Sequence, residues 1–191
     1  FPLEAAVKGG FALPLSDSWL QLFANTGASY QFAGLGLAAP SDPFTWVLLF
    51  IGSLTFFAPN LALSAVLYLA LPLAYFGAWR LLSTITLRNS LKIPLAMIYA
   101  FWPALTISQS EGNFPAVIFS ITLPWLLFAL ARAGRFGIAS SVRSNAQTWS
   151  WIAASSLLFA VAAASAPSAL LILVAVAVTY AVLSRGRFAT T

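Results

Sequence analysis

The sequence predicts an all-α protein, a polytopic membrane helix bundle of about five transmembrane helices preceded by an extracytoplasmic segment with juxtamembrane helices. Three observations carry this. The 191 residues are 61% hydrophobic and 7% charged, whereas a soluble domain averages about 25% charged residues. The few charges are sorted by sign. The acids are Glu4, Asp17, Asp42 and Glu111, and eight of the nine bases fall in three clusters: Arg80, Arg88 and Lys92; Arg132, Arg135 and Arg143; Arg185 and Arg187. Between the clusters run apolar stretches close to the roughly 20 residues that a spanning helix needs.

The chain divides into an extracytoplasmic region, residues 1–58, and a transmembrane bundle, residues 59–191. In the first region, Ser16 or Asp17 is placed to cap a short helix through Leu20, Leu22 and Phe23. Asn25–Ala39 is rich in Gly, Ala and Ser and reads as an ordered loop on the membrane surface. Pro43–Ala58 is apolar, but as a helix it would be only about 24 Å long against about 30 Å of hydrocarbon. It is read as a helix lying in the outer interface, with a short sixth span as the alternative.

Five spans follow: Asn60–Leu82, Leu91–Ser108, Asn113–Ala131, Gln147–Ala164 and Pro167–Ser184. With the basic clusters inside, the loops Gln109–Asn113 and Ser165–Ser168 fall outside. The N-terminal segment is then outside and the C-terminus cytoplasmic, in a multi-pass protein of the plasma membrane. Pro72, Pro94, Pro103 and Pro124 interrupt the spans. Neighbouring helices must re-satisfy the carbonyls they free, which predicts a packed bundle around a cavity. The fourth span is crowded with small residues, from Ala153 to Ala164, which let helices approach closely. Ala58-Pro59-Asn60 and Ala166-Pro167-Ser168 each open a helix from the outer side. The chain begins at Phe1 without a Met, and is read as a piece of a longer protein.

The net charge of +5 is not a nucleic-acid signal, because the bases flank apolar runs where they anchor helix ends and meet anionic lipid heads. The absence of Cys and His removes disulfides, thiol nucleophiles, imidazole acid–base catalysis and the common zinc sites. Chemistry is left to carboxylates, with Lys8 and Tyr30 as helpers. Glu111 lies in a tight Ser-Gln-Ser-Glu-Gly-Asn loop, where Gly112 permits a sharp turn and Asn113 caps the next helix, with Pro115 in its first turn. Gln109, Glu111 and Asn113 are either polar loop residues or the polar wall of a substrate cavity. Asp17 and Asp42 are each a helix cap or a functional carboxylate. Trp19, Phe23, Tyr30, Phe32 and Trp46 make an aromatic outer surface, either an interfacial belt or a stacking platform for sugar rings.

SWLQLFANTGASYQFAGLGLAAPSDPFTWVLLF, followed by YAFWPALTISQSEGNFPAVIFSITLPWLLFALAR, resembles the multi-span portion of large actinobacterial glycosyltransferases. Those join a family-2-type catalytic domain to a membrane region similar to the GT-C superfamily of polyprenyl-phosphate-sugar-dependent transferases. The resemblance covers the chain up to about Arg132 and rests on overall pattern. It implies a long first outer loop with juxtamembrane helices, and a second outer loop, here Gln109–Asn113, that lends polar residues to the site. It implies transfer of a sugar from a polyprenyl-phosphate carrier to a glycan on the outer face, with Asp17 or Glu111 as the base. Glu4, Lys8, Trp19, Tyr30, Asp42, Gln109 and Asn113 would bind substrate. A divalent metal is the one cofactor these acids would admit, although no dedicated metal site is visible. The implied partners are the bilayer, the lipid-linked sugar, the glycan acceptor and the remaining domains of the same longer chain, with no nucleic acid. The alternative is a non-catalytic membrane module that binds the lipid carrier or guides the glycan. A transporter is disfavoured, because no span holds an ionisable residue at its middle.

Overall fold

A computed structural model describes residues 42–53, 59–134 and 145–176, with isolated positions at 20, 23, 29–30, 38–39 and 178–179. The described chain is helical apart from one two-residue antiparallel pair, β1 (Ser29–Tyr30) with β2 (Ala38–Ala39). The helices are α1 (Phe44–Ser53), α2 (Pro59–Ile85), α3 (Asn89–Ala100), α4 (Pro103–Ser110), α5 (Phe114–Ala133) and α6 (Asn145–Ser165). A last apolar helix, α7 (Pro167–Val176), opens with a 3-10 turn at Pro167–Ala169.

Among the described residues, four stretches are long and apolar enough to cross a membrane: Leu61–Ile85, Asn89–Ser110, Phe114–Ala133 and Gln147–Ser165. The protein is therefore a multi-pass helical membrane protein. The predicted fifth span, Pro167–Ser184, is helical through Val176, and most of its remainder lies outside the described residues. The second predicted span differs in kind from a continuous helix. It is α3 and α4 in series, broken at Phe101–Trp102. The residue before a proline is pushed out of the helical region. Trp102, preceding Pro103, is extended (φ −61°, ψ 136°), and α4 restarts with Pro103 in its first turn.

α5 is the central helix. Apart from Ser120 and Thr122 its sequence is apolar until Arg132, and such a helix has no face suited to water. Phe114, Val117, Ile118, Leu126, Phe128 and Ala129 are buried, with α2 packed on one side and α6 on the other. The small-residue run of α6 packs against α5, and close helix–helix approach also occurs away from it. On α6, Ser155 and Ala162 are buried, but Ala153, Ser156 and Ala160 face outward. α2 buries Ala70, Ala74 and Ala78 at four-residue spacing, and its partner α3 buries Ala96 and Ala100. In lipid, helix association is driven by van der Waals packing, so small residues at this spacing bring the two backbones together.

Side-chain hydrogen bonds stitch the spans together. The Trp125 indole N–H donates to the Leu73 carbonyl at 3.1 Å, lying on Gly77, where an added Cβ would stand 2.7 Å from Nε1. Gln109 Nε2 donates to the Leu67 carbonyl at 2.8 Å, tying α4 to α2. Tyr99 donates its hydroxyl to the Ser120 carbonyl at 2.8 Å. Ser120 lies four residues before Pro124, which has no N–H to give it. The hydroxyl of one span thus replaces the donor that proline removes from another, as the prolines led us to expect.

α1 has ten residues, about 15 Å of helix, half of a hydrocarbon core. Asp42 caps it: Oδ1 accepts from the Phe44 N–H at 3.0 Å. Phe44, Val47, Leu48 and Ile51 pack on Leu63, Phe114, Ile118 and Val161. These belong to the first turns of α2 and α5 and the last turn of α6, so α1 sits at that end of the bundle, with Trp46 and Phe50 facing outward. The described bases gather at the other end, where α2 leads into α3 and α5 ends. Arg80 and Arg88 are exposed there, Lys92 donates to Asn89 Oδ1 at 3.1 Å, and the Arg132 guanidinium lies 5.2 Å from the Phe128 ring centroid.

Candidate functional site

A groove of about 590 Å³ opens beside α5 at the α1 end of the bundle, within the range of about 300–1,000 Å³ usual for ligand sites. Three walls form it. The break between α3 and α4 contributes Tyr99, Trp102, Ala104, Leu105 and Ser108. The first half of α5 contributes Asn113, Ala116, Phe119, Ser120 and Leu123. The turn from α6 into α7, Ser165–Ser168, closes the third side.

Each wall has a local cause. Pro103 forces Trp102 into an extended conformation, which separates α3 from α4, and Trp102 and Ala104 line the groove. The α4–α5 turn is a Schellman motif: the Asn113 N–H donates to the Ser108 carbonyl at 2.9 Å and the Gly112 N–H to the Gln109 carbonyl at 3.3 Å. Gly112 takes φ 68°, the left-handed conformation that this motif assigns to glycine. Asn113 then caps α5, its side chain accepting from the Ala116 N–H at 3.3 Å. On the third wall, Pro167 ends α6 after the Ala166 N–H has donated to the Ala162 carbonyl at 3.0 Å.

The groove is lined mainly by apolar side chains with neutral polar ones among them, and with no charged residue. Of the residues singled out from sequence, Asn113 lines it. Gln109 stands one turn of chain away, its amide committed to Leu67. Glu111 is exposed at the end of α4 and is not part of the lining. Asp42 is the cap of α1. Tyr30 lies in the short β pair, and nothing of its side chain is described. Glu4, Lys8, Asp17 and Trp19 lie outside the described residues. Among the described residues no three His, Cys, Asp or Glu side chains come together as a metal-binding group.

Sequence reasoning missed Tyr99, Trp102, Ser108, Phe119, Ser120 and Ser165. The signal that pointed to them was proline. Pro103, Pro115, Pro124 and Pro167 mark the break, the α5 start, the freed carbonyl and the α6–α7 turn, and together they bracket the groove. The chain matches no family model, no curated protein and no solved structure.

Proposed function

We propose that this chain is the membrane portion of a cell-envelope glycosyltransferase, and that its own share of the work is to hold the lipid-borne substrate. Its groove receives the apolar part of a polyprenyl-linked saccharide at the outer face, for transfer by groups that lie outside the groove. The groove is the observation that supports the holding role: mainly apolar walls, a few neutral polar side chains and no carboxylate in the lining. A general base must come within hydrogen-bond reach of the hydroxyl it deprotonates, and Glu111 is exposed and not part of the lining. The glycosyltransferase setting rests on the sequence resemblance. The orientation rests on the bases: Arg80, Arg88, Lys92 and Arg132 collect at the end opposite the groove, which is then cytoplasmic. α1, with Trp46 and Phe50 facing outward, lies in the outer interface beside the groove mouth, where aromatic side chains are favoured.

The test is photolabelling of the full-length protein in lipid nanodiscs with a polyprenyl-phosphate analogue carrying a diazirine in its chain. Ala104→Phe, at an exposed position of the groove wall, is expected to abolish labelling of α4 and α5. Leu157→Phe, on the outward face of α6, is expected to leave it unchanged. Labelling indifferent to Ala104→Phe refutes the reading.

A further inference from the structure

Lys92 runs against the usual electrostatics of a helix. It is the fourth residue of α3, on the same face as Ala96 and Ala100, and like them it is buried, with 8% exposure. Its head folds back toward the helix start, where Nζ donates to Asn89 Oδ1 at 3.1 Å. An ammonium carries three protons and a full charge, and the Asn89 amide takes one proton and no charge. A helix N-terminus is already the positive end of the backbone dipole, so a cation there is disfavoured. Nothing at the start of α3 offsets it. Arg88, another base, is the N-cap residue and makes no side-chain cap, and the first turn holds no acid. The N–H groups of Leu91 and Lys92 reach the Arg88 carbonyl at 3.2 and 3.4 Å, but no partner among the described residues takes those of Asn89 and Ser90. The described acids, Asp42 and Glu111, lie at the opposite end of the bundle.

Exposed bases at a membrane surface attract anionic lipid without a fixed geometry. Lys92 differs from them. Its buried charge is held beside two open backbone N–H groups, and a charge kept from water calls for a counter-charge. A phosphate supplies what the place lacks, because its oxygens accept from helix-start N–H groups and carry negative charge. Arg88, exposed, stands next in the chain. The apolar Leu91, Ile93, Leu95 and Ile98 continue from the site along α3 and are exposed, a surface for acyl chains and not for a soluble ion. We infer that the start of α3 is a binding site for a phosphate group, and that the phosphate is the head of an anionic phospholipid in the leaflet at the basic end of the bundle. The site is at the end opposite the groove and does not depend on the function proposed for the groove.

The experiment is amide hydrogen exchange of the full-length protein in nanodiscs. Phosphatidylcholine alone is compared with phosphatidylcholine carrying increasing phosphatidic acid, and with phosphatidylcholine plus inorganic phosphate. Protection is read relative to the first turn of α6, a helix start at the same end that reports the acidic surface alone. Phosphatidic acid is expected to slow exchange in the peptide holding Asn89 and Ser90, by about tenfold once it exceeds its apparent Kd about tenfold. Lys92→Gln should raise the phosphatidic acid needed for half protection about ten- to hundredfold. Arg80→Gln, an exposed base of the same end, should raise it about fivefold or less. Arg88→Asp serves if the lysine variant folds poorly. Its carboxylate caps α3, so exchange there should be slow without phosphatidic acid and indifferent to its addition. No protection in the wild type overturns the inference. Equal shifts from Lys92→Gln and Arg80→Gln, or lipid dependence that survives in Arg88→Asp, overturn the site in favour of diffuse attraction. Protection by inorganic phosphate to the same degree overturns the lipid as the source of the phosphate.

Discussion

Tyr99→Phe tests whether a side chain from one span completes the backbone of another. The Ser120 carbonyl has no α-helical donor because residue 124 is proline, and the Tyr99 hydroxyl serves it at 2.8 Å. Removing the hydroxyl loses one hydrogen bond, worth about 0.6 kcal/mol on average and up to about 1.7 kcal/mol between membrane helices. It also strands a partly buried carbonyl, which adds about 1 kcal/mol. The loss is thus about 1.6–2.7 kcal/mol, roughly a fifteen- to hundredfold change in the folding equilibrium. Pro124→Ala supplies an N–H four residues after Ser120, so Tyr99→Phe in that background should cost less than about 0.5 kcal/mol. The assay is reversible unfolding in bicelles for the four proteins of the double-mutant cycle. The cavity left by replacing proline cancels in the cycle. A coupling energy below about 0.5 kcal/mol, with Tyr99→Phe costing the same in both backgrounds, refutes the reasoning.

Gly77→Ala should destabilise the α2–α5 contact by about 1–3 kcal/mol in the same assay, because its Cβ meets the Trp125 indole and Pro124; Trp125→Phe should recover part of that loss. Gly112→Ala should cost about 1 kcal/mol in unfolding measurements, and Gly112→Asn less, because φ is 68° and asparagine tolerates that region better. Asp42→Ala should speed amide hydrogen exchange across α1, the loss of a cap being about 1 kcal/mol. Asp42→Asn should keep the cap and leave exchange near the wild-type rate, whereas sugar transfer that fails in Asp42→Asn with α1 intact would reveal a role for the charge. Glu111→Gln should leave photolabelling of the groove and stability unchanged, because Glu111 is exposed and not part of the lining.

What the sequence made legible were features dictated by local chemistry. The turn at Gly112, Asn113 and Pro115 was readable, because each residue type answers one backbone need. So was the Asp42 cap before Pro43, and the four spans followed from length and apolarity alone. The broken second span was not readable as such. A proline inside an apolar run kinks a helix or starts a new one, and Pro103 does the second because Trp102 before it goes extended. The groove was legible only as a cavity implied by prolines. Serines at 108, 120 and 165 carry no local mark distinguishing them from the outward Ser156. Their facing one cavity is a product of helix rotation, which an almost uniformly apolar sequence does not encode in its periodicity. The same uniformity hid the alanine stripes of α2 and α3, since alanine is common throughout the chain.

The Tyr99–Ser120 bond also bears on how the chain is made. Spans leave the insertion machinery in sequence order, and α3 precedes α5. When α5 enters hydrocarbon, the Ser120 carbonyl needs a donor that its own helix lacks, and no water is present to supply one. The preceding hairpin already carries that donor on Tyr99. α5 is complete only beside α3, so lateral release of α3 into free lipid before α5 arrives would leave the central helix to enter the bilayer with an open backbone acceptor.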